Sequence, residues 1–154
     1  MFSPSWTTPD PFRRSHPVGH VTASAVIARP SGDSVLLVFH RKLGRWLQPG
    51  GHVESDDESV FAAALRETRE ETGIEGFEAP IGDTILDLDV HAIPAHGKDP
   101  AHFHYDVRFL LTTADGRVPS PRAAWFSFVE VGVADRDGSL GRATLKAALR
   151  LTAQ

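Results

Sequence analysis

The chain has 154 residues, no cysteine and a formal net charge of −4, and 41% of its residues are hydrophobic. These figures predict one domain with a buried core, and they exclude disulfide bonds, thiolate metal sites and a cysteine nucleophile. The sequence has no Lys/Arg block, no run of 18 apolar residues and no secretory signal. We therefore expect a cytoplasmic protein with no nucleic-acid polymer as a partner and no membrane span.

The first part of the chain predicts an irregular arm and then a β-hairpin. Residues Met1–Pro17 are rich in Pro, Ser and Thr, and we interpret them as an arm that precedes a single domain at residues 18–154. Val18–Ala28 and Ser34–Lys42 have the composition of strands, and Pro30–Asp33 has that of a turn. Three aromatic residues would pack the arm onto the domain: Phe2, Trp6 and Phe12.

Two helices and three more strands are predicted after the hairpin. A compact loop at Leu43–Gly51 and a short extended piece at His52–Glu54 precede the first helix. Glycine after Thr72 ends this helix, and its start has three candidate caps: Ser55, Asp56 and Asp57. The later elements are strands at Thr84–Ile93, Ala101–Thr113 and Ala123–Phe128 and a helix at Ser139–Thr152. This order favours an α/β (α+β) fold, with helices packed on a mixed β-sheet.

One face of the first predicted helix changes from apolar to acidic along its length. At helical spacing this face carries Val60, Ala63, Ala64, Glu67, Glu70, Glu71 and Ile74. Carboxylates are seldom buried unless they are paired or bind a metal, and like charges at these spacings repel one another. Oxygen ligands select Mg²⁺ or Mn²⁺, which also bind phosphate oxygens. The face therefore predicts a divalent-cation site, with a solvated helix surface as the alternative.

The residues around this face support the same interpretation. Gly50 and Gly51 allow close backbone approach, so that a carbonyl there can complete the metal coordination. Arg66 can form an ion pair with Glu58, about two helical turns away, and can hold the glutamates in position. Glu54 is a further candidate for supporting the metal or contacting the substrate.

The stretch Gly51–Ile74 resembles the Nudix box of the Nudix hydrolase family, G-x5-E-x7-R-E-U-x-E-E-x-G-U, in which U is aliphatic. Every charged position matches when Glu58 takes the first glutamate position. The later matches are, in order, Arg66, Glu67, Glu70, Glu71, Gly73 and Ile74. This alignment places one extra residue between Gly51 and Glu58, and Thr68 stands where the family has an aliphatic residue.

The resemblance implies a Nudix-like α/β/α sandwich and a metal-dependent pyrophosphohydrolase. It implies four metal ligands: Glu67, Glu70, Glu71 and the carbonyl of Gly51. Arg66 and Glu58 would orient them, and one of the box glutamates, with Glu70 as the catalytic candidate, or a glutamate outside the box would activate the water. Some relatives use an acid from the loop before the late strand, but Thr113–Ala124 contains only Asp115. The substrate would be a small molecule, a nucleoside diphosphate linked to another group.

The strand near residue 105 carries the candidates for substrate binding. Its polar face has His102, His104, Asp106 and Arg108, and its other face has Phe103, Tyr105, Val107 and Phe109. We expect the aromatic face to be core and the polar face to line a substrate pocket, with solvent exposure as the alternative. Arg108 would contact a phosphate or stack on a base. His40 is a further substrate candidate, and Asp87, Asp89 and His91 form a conceivable second metal site.

Two other functions are compatible with this fold. A non-catalytic nucleotide-binding or sensing module is the main alternative, although it would not need the complete acidic motif. An isomerase of the isopentenyl-diphosphate type would, by family resemblance, need a cysteine, and the chain has none. We find no accessory motif of the coenzyme A, NADH or diadenosine-polyphosphate branches. The substrate, the number of metal ions and the oligomeric state therefore stay open, with a homodimer as one option.

Overall fold

The computed structural model describes residues 10–135 and 137–153. Within them it contains β1 (Gly19–Ala28), β2 (Ser34–His40), β3 (Arg45–Leu47), β4 (Gly50–His52), α1 (Val60–Thr72), β5 (Asp87–Ile93), β6 (His102–Thr112), β7 (Ala123–Ser127), α2 (Phe128–Ala134) and α3 (Ser139–Thr152). The predicted mixed α and β class is confirmed.

Phe2 and Trp6 of the predicted arm lie outside the described residues, and Phe12 is exposed. No helix in the described part of the chain is long and apolar enough to cross a membrane.

The sheet is organised around β1, its central strand. Its main order is β3-β2-β1-β6-β5, while β4 also pairs with β1 and β7 pairs with β2. β1 and β6 are parallel over ten pairs, from Gly19↔Phe103 to Ala28↔Thr112. The other pairings are antiparallel, including the predicted β1–β2 hairpin. A parallel pair needs a long crossover, which the chain between β1 and β6 provides.

Helices cover both faces of this sheet. On one face, Ala63 and Ala64 of α1 pack with Ala23 of β1. On the other face, Ala143 of α3 packs with Val26 of β1. Successive side chains of a strand point to opposite faces, so odd-numbered residues of β1 face α1 and even-numbered residues face α3. The result is a three-layer α/β/α sandwich in which the apolar half of α1 lies on the sheet.

The N-terminus of α1 differs from the prediction. Ser59 caps the helix, and its hydroxyl accepts a hydrogen bond of 3.0 Å from the Ala62 N–H. The predicted caps at Ser55, Asp56 and Asp57 are wrong, because the chain makes one more turn before the helix begins. The predicted end is confirmed, since Gly73 adopts the left-handed conformation with φ of 74°.

Short elements account for the other differences. β3 lies inside the predicted loop, and β4 begins at Gly50 rather than at His52. The helix α2 is absent from the prediction, which ended a strand at Phe128 and assigned no element before Ser139. Its capping box is nevertheless a local signal, since Ser127 accepts from the Glu130 N–H and the Glu130 carboxylate accepts from the Ser127 N–H.

The predicted burial of the β6 aromatic face is wrong in the first half of the strand. Phe103 is 42% exposed and Tyr105 is 38% exposed, whereas Phe109 is buried. Phe109 packs with residues of α1, while Phe103 and Tyr105 belong to none of the hydrophobic core clusters of the described residues. Their neighbours on β5, Leu88 and Val90, are exposed as well. Helix coverage, rather than side-chain type, therefore decides which part of this face is core.

Candidate functional site

Two glycines bring the carboxylates of α1 against the backbone of β4. The N–H of Gly50 donates to Oε2 of Glu71 at 3.0 Å. A Cβ added to Gly51 would lie 2.4 Å from Oε1 of Glu67, and a Cβ added to Gly50 would lie 2.4 Å from the Cβ of Ser24. Close approach therefore requires glycine at position 50, where a Cβ would also lie 2.6 Å from the Ala23 carbonyl oxygen, whereas a larger residue at position 51 would displace the Glu67 carboxylate.

Arg66 lies beside the acidic face, which we define as Glu67, Glu70 and Glu71. Its Nη1 donates to Oε1 of Glu67 at 3.0 Å and to Oε2 of Glu70 at 3.4 Å. Its Nη2 donates to the carbonyl of His52 at 3.0 Å, next to Gly51. Glu54 is exposed, with a carboxylate oxygen 3.9 Å from Nη1. One arginine thus connects two of the glutamates to the glycine strand.

The acid that holds Arg66 is Asp57, not Glu58. Asp57 accepts from Nε of Arg66 at 2.9 Å and from Nη2 at 2.8 Å, in a bidentate pair. The Asp57 side chain is only 7% exposed. Glu58 is exposed and forms no ion pair within the described residues, so the expected Glu58–Arg66 pair is wrong. Five residues separate Gly51 from Asp57, which is the spacing of the family pattern, and the extra residue therefore lies after the acid.

Asp57→Asn is expected to lower turnover by about 10- to 100-fold, the range typical for losing a partner that orients a ligand. It should also lower the free energy of unfolding by about 1.5–3 kcal/mol, since it weakens a buried charge-assisted pair. The matched variant Glu58→Gln should change neither quantity. Steady-state kinetics and urea unfolding of both variants measure this, and a larger loss in Glu58→Gln would contradict the assignment.

Burial makes two of the glutamates unusual. It raises the pKa of Glu71 to about 7, although the hydrogen bond from Gly50 opposes the effect. Burial also raises the pKa of Glu67, against the hydrogen bond and charge of Arg66. Glu70 is 58% exposed at the rim. Burial disfavours the charged form of Glu67 and Glu71, and Glu70 lies beside them. A divalent cation with oxygen ligands would stabilise three such carboxylates as anions. Mg²⁺ or Mn²⁺ therefore fits this donor set, and it would compete with the protein donors that now hold each carboxylate.

Arg108 does not have the predicted substrate role. Its side chain is 1% exposed, and its nitrogens donate to Asp106 at 3.1 Å, Asp87 at 3.2 Å and Asp89 at 3.0 Å. It also donates to the Ser139 carbonyl at 3.0 Å and to the Ser139 hydroxyl at 2.7 Å. Every guanidinium nitrogen is therefore engaged, and the prediction that Arg108 contacts a phosphate or a base is wrong.

The same network accounts for the acidic side chains nearby. Asp106 is buried and accepts from Ser24 at 2.7 Å and Thr22 at 3.1 Å, so the prediction that it contacts a substrate is wrong. Asp87 is paired with Arg142 at 3.0 Å and with Lys146 at 2.5 Å. The cations of α3 and β6 thus already neutralise the carboxylates that we considered for a second metal site.

The two predicted histidines of β6 lie in a group of four. His102 and His104 are partly buried, both contact His20 of β1, and His104 also contacts His52 of β4. We call these four residues the histidine cluster. Burial lowers the pKa of His52 to about 3, and the charges of Arg14 and the neighbouring histidines lower it further. Burial also lowers the pKa of His104 to about 4, with further lowering from His20 and His102 against the opposing charge of Asp106. The cluster lies on the α3 face of the sheet, since His20 and His52 both belong to that face by pairing.

The sequence did not predict that His20 and His52 belong to a histidine cluster. The signal was the even numbering of His20 on a strand next to β6, but it is useful only once the parallel β1–β6 register is known. His40, another predicted substrate residue, is exposed and accepts from the Leu43 N–H at 3.2 Å in a local turn. It lies at the end of β2, where it pairs with Arg45 of β3, and it is not part of the histidine cluster.

The NUDIX domain model matches residues 18–148, and the chain belongs to this family. A NUDIX family hydrolase from Clostridium perfringens is 28% identical, with coverage of 84% of this chain and 97% of that chain and a TM-score of 0.58. A C. elegans Ap4A hydrolase is 24% identical, with coverage of 86% and 95% and a TM-score of 0.54.

A third similar structure contains a nucleotide and a metal. It is a bifunctional NMN adenylyltransferase/ADP ribose pyrophosphatase from Francisella tularensis, complexed with AMP and a Mn ion. It is 19% identical, with coverage of 84% of this chain and 41% of that chain and a TM-score of 0.54. No curated protein matches the chain significantly. The family makes this chain a hydrolase of phosphorus-containing acid anhydrides, a pyrophosphatase in the broad sense.

Proposed function

We propose that this pyrophosphatase depends on Mg²⁺ or Mn²⁺ and cleaves a nucleoside diphosphate linked to another group. The observation that carries the proposal is the acidic face, where two half-buried carboxylates lie against Gly50 and Gly51. Arg66 alone among nearby cations hydrogen-bonds to this face in the described part of the chain. One guanidinium leaves an excess of negative charge, which a divalent ion would offset.

Each residue of the site has a role in this proposal. The acidic face and the Gly51 carbonyl would hold the ion, which, when bound, polarises a phosphoryl oxygen and lowers the pKa of a bound water. Arg66 keeps Glu67 and Glu70 in place, and Asp57 fixes Arg66. Glu70, at the exposed rim, is accessible to the water that it would deprotonate. Glu54 and His40, both exposed, remain candidates for contacting the substrate.

The comparisons support a nucleotide derivative as the small-molecule substrate. The C. elegans protein is an Ap4A hydrolase, and the Francisella protein contains AMP and Mn. The net charge of −4 also requires cations for an anionic substrate to approach. A cytoplasmic location and a homodimer stay predictions from the sequence.

A substrate panel with metal removal tests the proposal. The full chain is incubated with nucleoside diphosphate derivatives, including a dinucleoside polyphosphate and a nucleotide sugar, with Mg²⁺, with Mn²⁺ or with a chelator. We expect at least one compound to give two phosphate-bearing products, with no turnover in chelator and recovery on adding metal. If nothing is cleaved while Glu70→Gln still binds nucleotides, the sensing-module alternative replaces this proposal.

A further inference from the structure

The histidine cluster has the geometry of a ligand set. Ring nitrogens of His20, His102 and His104 lie within 4.8 Å of one another, and no other group of three potential ligand residues in the described part of the chain does so. The ring centroid of His20 is 4.7 Å from that of His104, 5.1 Å from that of His102 and 4.9 Å from that of His52. Three strands thus contribute imidazoles to one small volume.

His20 is an unsatisfied residue at the centre of this cluster. Its side chain is 2% exposed, and neither ring nitrogen has a hydrogen-bond partner within residues 10–135 and 137–153. Buried polar atoms are nearly always paired, and leaving one unpaired costs about 1–3 kcal/mol. In the neutral ring one of these two nitrogens carries a lone pair, which a metal ion can accept.

His102 shows which of its nitrogens is available. Its Nδ1 is 2.9 Å from the carbonyl oxygen of Pro100. A carbonyl only accepts, so Nδ1 carries the proton and Nε2 of the neutral ring carries the lone pair. This is the usual arrangement of a metal-binding histidine, whose second nitrogen donates to a backbone carbonyl. This Nε2 accepts a hydrogen bond of 3.2 Å from Nε2 of His104. A bound metal ion would replace that proton, and the two lone pairs would then face the ion.

The separation of these nitrogens matches tetrahedral coordination. Zn–N bonds of about 2.0–2.1 Å at tetrahedral angles place two ligand nitrogens about 3.3–3.4 Å apart. The 3.2 Å between His102 and His104 is close to this value, and the ring nitrogens of all three histidines lie within 4.8 Å of one another. A set of three imidazoles without carboxylate selects a transition metal such as Zn²⁺ over Mg²⁺.

We propose that His20, His102 and His104 bind a divalent transition-metal ion of the Zn²⁺ class, with His52 beside the open position. The site is separate from the acidic face, because α1 packs on one side of the sheet and the cluster lies on the other. The ion would connect β1 to β6 and would neighbour β4, the strand that carries Gly51. The proposal stands whether or not the chain hydrolyses nucleotides.

The test is Zn²⁺ binding to the full chain, freed of metal and of any polyhistidine tag, in excess Mg²⁺ to saturate the acidic face. We expect one equivalent of Zn²⁺ to bind and to raise Tm. His102→Gln and His104→Gln should each weaken binding by at least about 100-fold, beyond the usual effect of losing an outer partner. His96→Gln, an exposed histidine outside the cluster, should bind as the original chain does.

Two further readouts separate ligation from folding and from the acidic face. Co²⁺ should give the intense visible absorption of a tetrahedral site in the original chain and in Glu71→Gln, but not in His104→Gln. Circular dichroism establishes that His102→Gln, a partly exposed position, stays folded. The proposal is overturned if no Zn²⁺ binds in excess Mg²⁺, or if both histidine variants bind it as tightly as the original chain.

Discussion

Glu71→Gln is expected to reduce turnover on the order of 1000-fold, because a metal ligand contributes several kcal/mol to transition-state stabilisation and each 1.36 kcal/mol is tenfold in rate. The amide keeps the size of the carboxylate and can still accept the Gly50 hydrogen bond. Burial raises the pKa of Glu71 to about 7, so the neutral amide avoids burying a charge. The free energy of unfolding should therefore stay the same or rise slightly while activity falls.

Glu75→Gln is the matched control, since Glu75 is an exposed glutamate just after α1 whose ion pair with Arg69 is at the surface. It should have the activity of the original chain. Kinetics at saturating and limiting Mg²⁺ locate the defect, because a lost ligand also raises the metal concentration needed for half-maximal activity. Full metal-dependent activity in Glu71→Gln would show that the ligand assignment is wrong.

Arg108→Met should lower the free energy of unfolding by about 3–5 kcal/mol, the usual cost of removing one partner from a buried ionic network. Three carboxylates would lose a cation that is itself 1% exposed. Arg142 and Lys146 remain on Asp87 but approach it from the exposed side of α3. Chemical denaturation measures the change, with Arg117→Met, an exposed loop arginine, as a control expected within about 0.5 kcal/mol.

The network also predicts how stability responds to acid. Burial alone would raise the pKa of Asp87, but hydrogen bonds and charge from Arg142 and Lys146 outweigh it and lower the pKa from its ordinary value of 3.8. Arg108 of β6 faces the same carboxylate. A lowered folded pKa means that the contribution is present above about pH 4 and is lost as the pH falls through the folded value. Stability that is unchanged between pH 5 and pH 2 would contradict this assignment.

The sequence predicted the acidic face well because helix periodicity is local. Glu67 and Glu71 follow the spacing of Ala63 and Ala64, and the structure places them on the same side of α1, above β4. The sequence also predicted the end of this helix at Gly73, because the preference of glycine for the left-handed conformation is a local property of the chain.

The sequence did not predict which carboxylate forms the ion pair with Arg66. Asp57 and Glu58 are adjacent acids, and both lie within reach of Arg66 by spacing alone. The turn between β4 and α1 rotates Asp57 inward, where it also accepts from the Glu54 N–H at 2.8 Å, and leaves Glu58 in solvent. A one-residue difference in a turn reverses which side chain is buried, and composition does not encode that rotation.

Alternation along β6 correctly separated its two faces, but it did not predict which parts of them are covered. Arg108 became structural because α3 and the carboxylates of β5 enclose it, while Phe103 and Tyr105 are exposed because, among residues 10–135 and 137–153, no helix packs over them. His20 and His104 met only through the parallel pairing of β1 and β6. Residue spacing along one helix therefore specifies the family and its acidic motif, because that pattern depends on neighbours in the chain. Burial, charge pairing and the histidine cluster depend on which distant element covers each face, and only the folded chain decides that.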